Sequence, residues 1–263
     1  MLVPLFARAA ESKRNRPILI DPRAVEIAGA IDWDFTRFHQ RKRVVGCVVR
    51  TVMFDEFVRN FLERHPGGTV VEIGAGLNTR FERLDNGRVH WFDLEMPAVA
   101  ELRRQFFRDT ERRTTLAGSI VGSDWIDAVR RAPAPYFFVA ETVLIYLPEE
   151  DVRAALAQIA REFPGASIAF DTGSRRVIES GNKDFVRRKM AARFVWACAD
   201  PRTIESWKIG LRLVEARGLG DIREPLWSRL PLFARASIRV LAALMPNALR
   251  SYQLSLFETR SGL

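Results

Sequence analysis

Val70-Val71-Glu72-Ile73-Gly74-Ala75-Gly76 constrains this chain more than any other stretch: a β-branched run closes on a carboxylate and then turns on two glycines one residue apart. A second apolar run, Trp91-Phe92-Asp93, also ends on a carboxylate, seventeen residues after Gly76, and Val139-Ala140-Glu141 makes a third. An acidic residue at the end of a buried strand needs a partner, so three of them argue for a shared site. The glycines let the backbone approach a ligand closely, and a carboxylate ending the second strand can accept from both ribose hydroxyls. The pattern reads as strands of an open α/β sheet meeting an adenosine-like ligand.

Dinucleotide enzymes and enzymes that use S-adenosylmethionine share this pattern. A dinucleotide site wants a small residue three positions after the second glycine, for close helix packing beside the pyrophosphate. Here that position is Thr79, followed by Arg80. Glu72, two residues before Gly74, also places a negative charge where a pyrophosphate is unwelcome and an ammonium or sulfonium is stabilised. These residues favour S-adenosyl-L-methionine over a nicotinamide or flavin.

The segment from Arg50 to Asp171 resembles the leucine carboxyl methyltransferase-like family, a class I S-adenosylmethionine-dependent group whose bacterial members include O-methyltransferases of polyketide and other secondary metabolism. The likeness is carried by Val49-Arg50-Thr51, by Glu72 through Arg80, by Trp91-Phe92-Asp93-Leu94-Glu95-Met96-Pro97, and by Ala140-Glu141-Thr142-Val143-Leu144-Ile145-Tyr146-Leu147. The resemblance implies that Arg50 holds the methionine carboxylate, that Gly74 and Gly76 face the ligand, that Asp93 takes the ribose and that Glu141 floors the site. Thr79, Arg80 and Leu94 lie in the same motifs and join the expected cofactor contacts. Two departures stand out. Asn78 replaces the family's usual aspartate, keeping hydrogen bonds while removing a charge. Ser119-Ile120 replaces the Asp-Leu pair that many members set against the adenine, leaving Asp124 to supply a charged acceptor.

The implied activity is methyl transfer to a carboxylate or hydroxyl of a small, polyketide-like metabolite. A carboxylate acceptor needs no base, whereas a phenol or alcohol benefits from one. Tyr146 is the candidate catalytic residue, with His39 on the N-terminal flank as a second possible base. Two other readings stay open from the residues: a catalytically silent S-adenosylmethionine-binding protein and a nicotinamide-dependent oxidoreductase.

Charge bears on the partner. The formal net charge is +9, yet residues 51–199 hold as many acids as bases, and the excess lies wholly in residues 1–50 and 200–263. Basic flanks over a neutral core suit an acidic or amphipathic small-molecule acceptor, a phosphopantetheine carrier protein or an anionic membrane surface. No base-methylation loop is present, so nucleic acid is not an expected partner. No apolar run approaches the ~20 residues of a membrane span. The charges at Arg8, Lys13, Arg14 and Arg16 follow the first apolar stretch, the wrong order for a secretory signal, and a cytoplasmic protein is expected. Cys47, Cys198 and three scattered histidines suggest neither a disulfide nor a metal site.

Strands at Thr69–Ile73, Tyr136–Ala140 and Ser167–Asp171 alternate with helices, which predicts a doubly wound, mostly parallel seven-stranded sheet in a single domain. Residues 1–64 read as an N-terminal helical cover, 65–171 as the cofactor-binding half, and 172–263 as the lid and substrate half. After Pro97, Val99, Leu102 and Phe106 mark the buried stripe of a helix. Ser174 to Trp207 reads as a basic helical lid, Trp207 to Glu215 as a core helix, and Gln253 to Phe257 as the last strand. In Leu232 to Met245 an apolar face opposes Arg235 and Arg239, as in a helix that packs on the core, closes over a greasy pocket or lies on a bilayer.

Overall fold

A computed structural model describes residues 1–34, 41–218 and 220–260. Its frame is a seven-stranded sheet in the order β3-β2-β1-β4-β5-β7-β6. Strands β1 (Thr69–Ile73), β2 (His90–Glu95), β3 (Arg113–Ala117), β4 (Tyr136–Ala140) and β5 (Ser167–Gly173) run parallel, and β7 (Tyr252–Thr259) is antiparallel to both β5 and β6 (Leu211–Gly218). The expected fold class is therefore the observed one. β1 is buried along its whole length, which suits a strand covered on both faces by helices.

The chain builds outward from β1 through β2 to β3, then returns to place β4 on the other side of β1. Ligands in such sheets sit beyond the carboxyl ends of the strands at that reversal. Glu72, Glu95, Glu141 and Asp171 all lie at those ends.

On one face, α3 (Arg41–Arg64) packs Val48, Phe54, Phe57, Val58 and Phe61 onto Val70, Trp91 and Phe137. On the other, α7 (Glu149–Glu162) buries Val152, Ala155, Leu156 and Ile159 as its spacing predicts. Gly165, at φ +78, supplies the left-handed turn that leads from α7 to β5. The two helices α1 (Leu2–Ser12) and α2 (Pro22–Ala30) form a smaller cluster around Leu5, Ile27 and Leu77, over the glycine turn.

Three expectations change. Residues 211–218 form the edge strand β6 and not a helix, because Leu211-Arg212-Leu213 alternates sides with period two. The helix α8 (Arg175–Arg187) ends before Lys189, and irregular chain runs on to a 3-10 turn at Pro201–Trp207. In α5 (Pro97–Arg104) the buried face is Ala100 and Arg103 rather than Val99 and Leu102, since Arg103 turns inward to meet Asp93.

Candidate active site

A cavity of about 890 Å³ opens at the carboxyl ends of β1, β2 and β4. Its walls come from α1, α3, the strand ends and α8 with the chain after it. Arg50, Glu72, Gly74, Gly76, Leu94, Ser119, Ile120, Glu141 and Tyr146 all line it. Thr79, Arg80, Asp93 and Asp124 do not.

The polar end is organised by Arg80. Its guanidinium is fully buried and pairs with Asp55 at 2.8 Å, with Glu141 at 2.6 Å and with Glu72. Arg80 thus lies behind the wall and holds it, and does not touch the cavity. Thr79 is also behind, with its hydroxyl 2.5 Å from Asp21, which in turn accepts from Arg8 and Arg83.

Glu72 and Glu141 end neighbouring strands, yet their chemistry diverges. Burial raises the Glu72 carboxyl to about 7 despite the opposing pull of Arg80. Burial alone would raise Glu141 as well, but Arg50 and Arg80 together hold it down at about 2. Arg50 Nε donates to Glu141 at 2.8 Å and Thr51 Oγ1 at 3.0 Å. Glu72 Oε1 accepts from Asn78 at 2.6 Å, while Oε2 is buried with no hydrogen-bond partner among the described residues. An aspartate in place of Asn78 would set a second carboxylate against Glu72; the amide donates instead.

Asp93 is a correction. It sits in register with Glu72, inside β2 rather than at its end, and is enclosed by Arg103 at 2.9 Å, Arg113 at 2.8 Å and Trp91 Nε1 at 3.1 Å. The carboxylate that reaches the cavity is Glu95, two residues on and on the same side of the strand, accepting from the backbone N–H of Gly76 and, at 3.1 Å, of Met96. The apolar run Trp91-Phe92 suggested that the strand closed at Asp93. The signal that could have found Glu95 is the same period of two carried to Pro97, where the helix begins.

Asp124 is the second correction: it is exposed in the turn before α6 (Ile126–Arg130), outside the wall, whereas Ser119 and Ile120 lie in it beside Leu94 and Met96. The turn itself needs Gly74 and Gly76, at φ +63 and +51. A Cβ on Gly74 would meet Val143 at 2.5 Å. Next to Val143, Thr142 stands at φ +57, unusual for a β-branched residue, held by Asp171, which accepts from its N–H at 2.6 Å and from its hydroxyl at 3.2 Å, and also from Tyr252.

At the other end the wall is aromatic. Tyr146, Phe185 and Phe194 cluster with centroids 4.8 to 6.5 Å apart. Phe194 is fixed by Asn182, which accepts from its N–H at 2.7 Å and donates to its carbonyl at 2.9 Å. Burial raises the Tyr146 phenol above its ordinary value, Arg50 opposing and Asp171 adding to the effect. At neutral pH it is a hydrogen-bond donor and not a ready base. His39 lies outside the described residues. Phe185 and Phe194 fall in the segment expected to be a lid but are not among the expected site residues, because that segment lies far from the strand motifs and reaches the cavity only through the fold.

Residues 1–160 match the family model described as leucine carboxyl methyltransferase. The chain belongs to that family. Among its relatives is the tetracenomycin polyketide synthesis O-methyltransferase TcmP of Streptomyces glaucescens, 32% identical over 223 residues that cover 84% of this chain and 82% of TcmP. The S-adenosyl-L-methionine-dependent methyltransferase dpfgK of Gibberella zeae is 27% identical over 239 residues, 82% of this chain and 80% of its own. In fold, the chain is similar to a candidate methyltransferase from Thermobifida fusca, with a TM-score of 0.59 at 14% identity, covering 97% of this chain and 94% of that one. It also resembles magnesium protoporphyrin IX methyltransferase from Synechocystis, with a TM-score of 0.51 at 12% identity, covering 91% and 94%.

This family member is an S-adenosylmethionine-dependent methyltransferase. Its walls suit that molecule: the unpartnered Glu72 Oε2 matches an ammonium, Glu95 is positioned by two backbone N–H groups, and the glycine turn leaves backbone exposed to a ligand. Among the described residues no helix is long and apolar enough to cross a membrane, and no group of three or more His, Cys, Asp or Glu side chains is placed to hold a metal ion.

Proposed function

We propose that the chain methylates an oxygen, carboxylate or hydroxyl, of a small acceptor with a flat apolar body, of the polyketide-like kind. The observation that carries this reading is the contrast inside one cavity, polar at the strand ends and aromatic at Tyr146, Phe185 and Phe194. In this reading Glu72 takes the ammonium of the methionine moiety, Arg50 its carboxylate, Glu95 the ribose hydroxyls, and Leu94, Met96, Ser119 and Ile120 the adenine. Bound S-adenosylmethionine supplies an electrophilic methyl group. The chain's own contribution is to hold the acceptor in line and dry, which can account for much of the acceleration. Residues 1–64 act as a cover, 65–171 as the cofactor half, and 172–263 as lid and acceptor wall.

An acidic acceptor fits because Arg188, three residues past Phe185, also lines the cavity, where it pairs with Asp184 at 3.0 Å. Tyr146 would orient an acceptor oxygen as a donor, and a carboxylate acceptor would need no base. The test is transfer of isotopically labelled methyl to a panel of flat aromatic acids, phenols, amines and carrier-tethered thioesters of aromatic acids that keep a free hydroxyl as the methyl acceptor. Labelled methyl esters, released by mild alkali, are expected from the acids, and alkali-stable ethers from the phenols. Transfer confined to amines, or no transfer while the cofactor is bound, would overturn the proposal; a requirement for the tethered form would make a carrier protein the partner.

A further inference from the structure

The helix α10 (Leu232–Leu244) packs Phe233, Ala234 and Ile238 on the core, yet turns a second set of apolar residues outward. Leu232 and Leu244 are each 76% exposed, and Val240 and Met245 are about half exposed, while Ala234 is the helix's buried residue. Ala236 and Ala243 extend the same exposed strip. A surface helix ordinarily hides its apolar stripe and shows charge, and contiguous exposed apolar area marks an interaction site.

The surroundings state the charge of the partner. From Pro225 to Phe257 the chain contains no acidic residue, but holds Arg229, Arg235, Arg239 and Arg250. At the foot of α10 a cleft of about 440 Å³ is lined by Arg14, Arg16, Arg229 and Arg235 together with Ser228 and Leu232. Arg14 is paired with the buried Glu11 at 3.0 Å. The Nε of Arg235 is buried with no hydrogen-bond partner among the described residues. Trp227, partly buried, lies beside the strip with the Arg239 guanidinium 5.7 Å from its ring centroid. Leucines that point outward, a tryptophan at their edge and an arginine cleft beside them match the interface of a bilayer with anionic headgroups. An anionic bilayer presents headgroup charge and hydrocarbon side by side, as this surface requires, whereas an acidic protein would need a separate apolar patch set opposite the leucines.

We propose that the exposed face of α10 and the arginine cleft at its foot form a docking surface for an anionic membrane, with the cleft taking a lipid phosphate. The surface shares no residue with the cavity, so the proposal stands or falls apart from the identity of the methyl acceptor. The test is co-sedimentation of the full chain with vesicles of phosphatidylglycerol and phosphatidylcholine in equal parts, against phosphatidylcholine alone. Binding is expected only to the anionic vesicles, weakening as salt rises.

Arg229→Gln with Arg235→Gln should lower the partition coefficient roughly thirtyfold, from the contribution of each arginine near an anionic surface. Leu232→Gln with Leu244→Gln should lower it by at least about tenfold. Neither pair should change S-adenosylhomocysteine affinity or the thermal midpoint appreciably, since both leucines are largely solvated already. Failure to sediment with anionic vesicles would overturn the proposal. So would binding that inorganic phosphate abolishes and the leucine changes leave intact, which would make the cleft a free-anion site. A dimer in sedimentation velocity that the leucine changes dissociate would assign the face to a second copy, and vesicle binding outcompeted by an acidic carrier protein would assign it to that partner.

Discussion

The two ends of the cavity are built by opposite means. At the cofactor end, side chains on strand termini are locked by a buried ion network in which Arg80 serves Asp55, Glu72 and Glu141 at once, and Arg83 and Arg8 extend it to Asp21. At the aromatic end, three rings meet through van der Waals contact, Tyr146 from the turn after β4, Phe185 from α8 and Phe194 from a loop tied to α8 by Asn182. The first arrangement tolerates almost no displacement, because an uncompensated charge in a buried site costs several kcal/mol. The second can be reshaped by a change of ring or loop at much lower cost. Under the proposed function, rigid recognition of a constant cofactor and adaptable recognition of an acceptor would thus be separated along one cavity.

The largest effect should come from breaking the network itself. Arg80→Met would leave three buried carboxylates without their common cation, and a destabilisation of about 3–5 kcal/mol is expected, read as a fall in the denaturant midpoint at pH 7. A loss below about 1 kcal/mol would mean that the polar end is held by packing alone.

A smaller effect, on binding, sharpens the contrast between the two glutamates. Glu72→Gln should weaken S-adenosylhomocysteine about tenfold to a hundredfold, the loss of a charge-assisted contact of roughly 1.5–3 kcal/mol. In the wild type the same affinity should fall as pH drops through about 7, where the carboxylate takes up a proton, and binding near that pH should release a proton. For folding the signs reverse between the pair. The raised pKa of Glu72 means that the folded state holds its proton more tightly, so its contribution to stability declines as pH rises from about 4.5 to about 7; Glu141, held at about 2, gives stability that disappears as pH falls from about 4.5 through that value. Calorimetric titration over this range decides the binding half: a Glu72→Gln protein with the wild-type pH slope would remove Glu72 from that role.

The smallest effect belongs to the aromatic end. A Cβ on Gly181 would stand 2.5 Å from the Phe194 ring, so Gly181→Ala must push that ring aside. With a productive acceptor, KM should rise roughly fivefold to thirtyfold, equivalent to about 1–2 kcal/mol, while cofactor affinity stays put. An equal loss of cofactor affinity would show that the two ends are not separable.

How far each end could be read from the chain differs for the same physical reason. Strand ends announce themselves, because a buried β-branched run that stops on a carboxylate and two glycines has few uses; Glu72, Gly74, Gly76, Ser119, Ile120 and Glu141 all stand in the cavity wall. Arg80 was legible as part of the motif but not as a residue behind the wall, since the motif does not say which side chains turn inward. Asp93 misled because a carboxylate within a strand and one at its end look alike until the register with β1 is known. Edge strand β6, half exposed, carried too weak an apolar pattern to be separated from a helix. The outward leucines of α10 have the periodicity of any amphipathic helix, and periodicity leaves unsaid which face the protein covers.

By itself, then, the amino-acid order determined the doubly wound sheet, the position of the glycine turn within it and the basic, acid-free character of the stretch from Pro225 to Phe257, because local propensity and short-range spacing suffice for these. Tertiary structure alone decided that Glu95 and not Asp93 lines the cavity, that burial raises Glu72 while Arg50 and Arg80 hold Glu141 down, and that Phe185 and Phe194 meet Tyr146. Each of these depends on burial and on charges or rings brought together from distant parts of the chain, and neither quantity exists until the chain has folded.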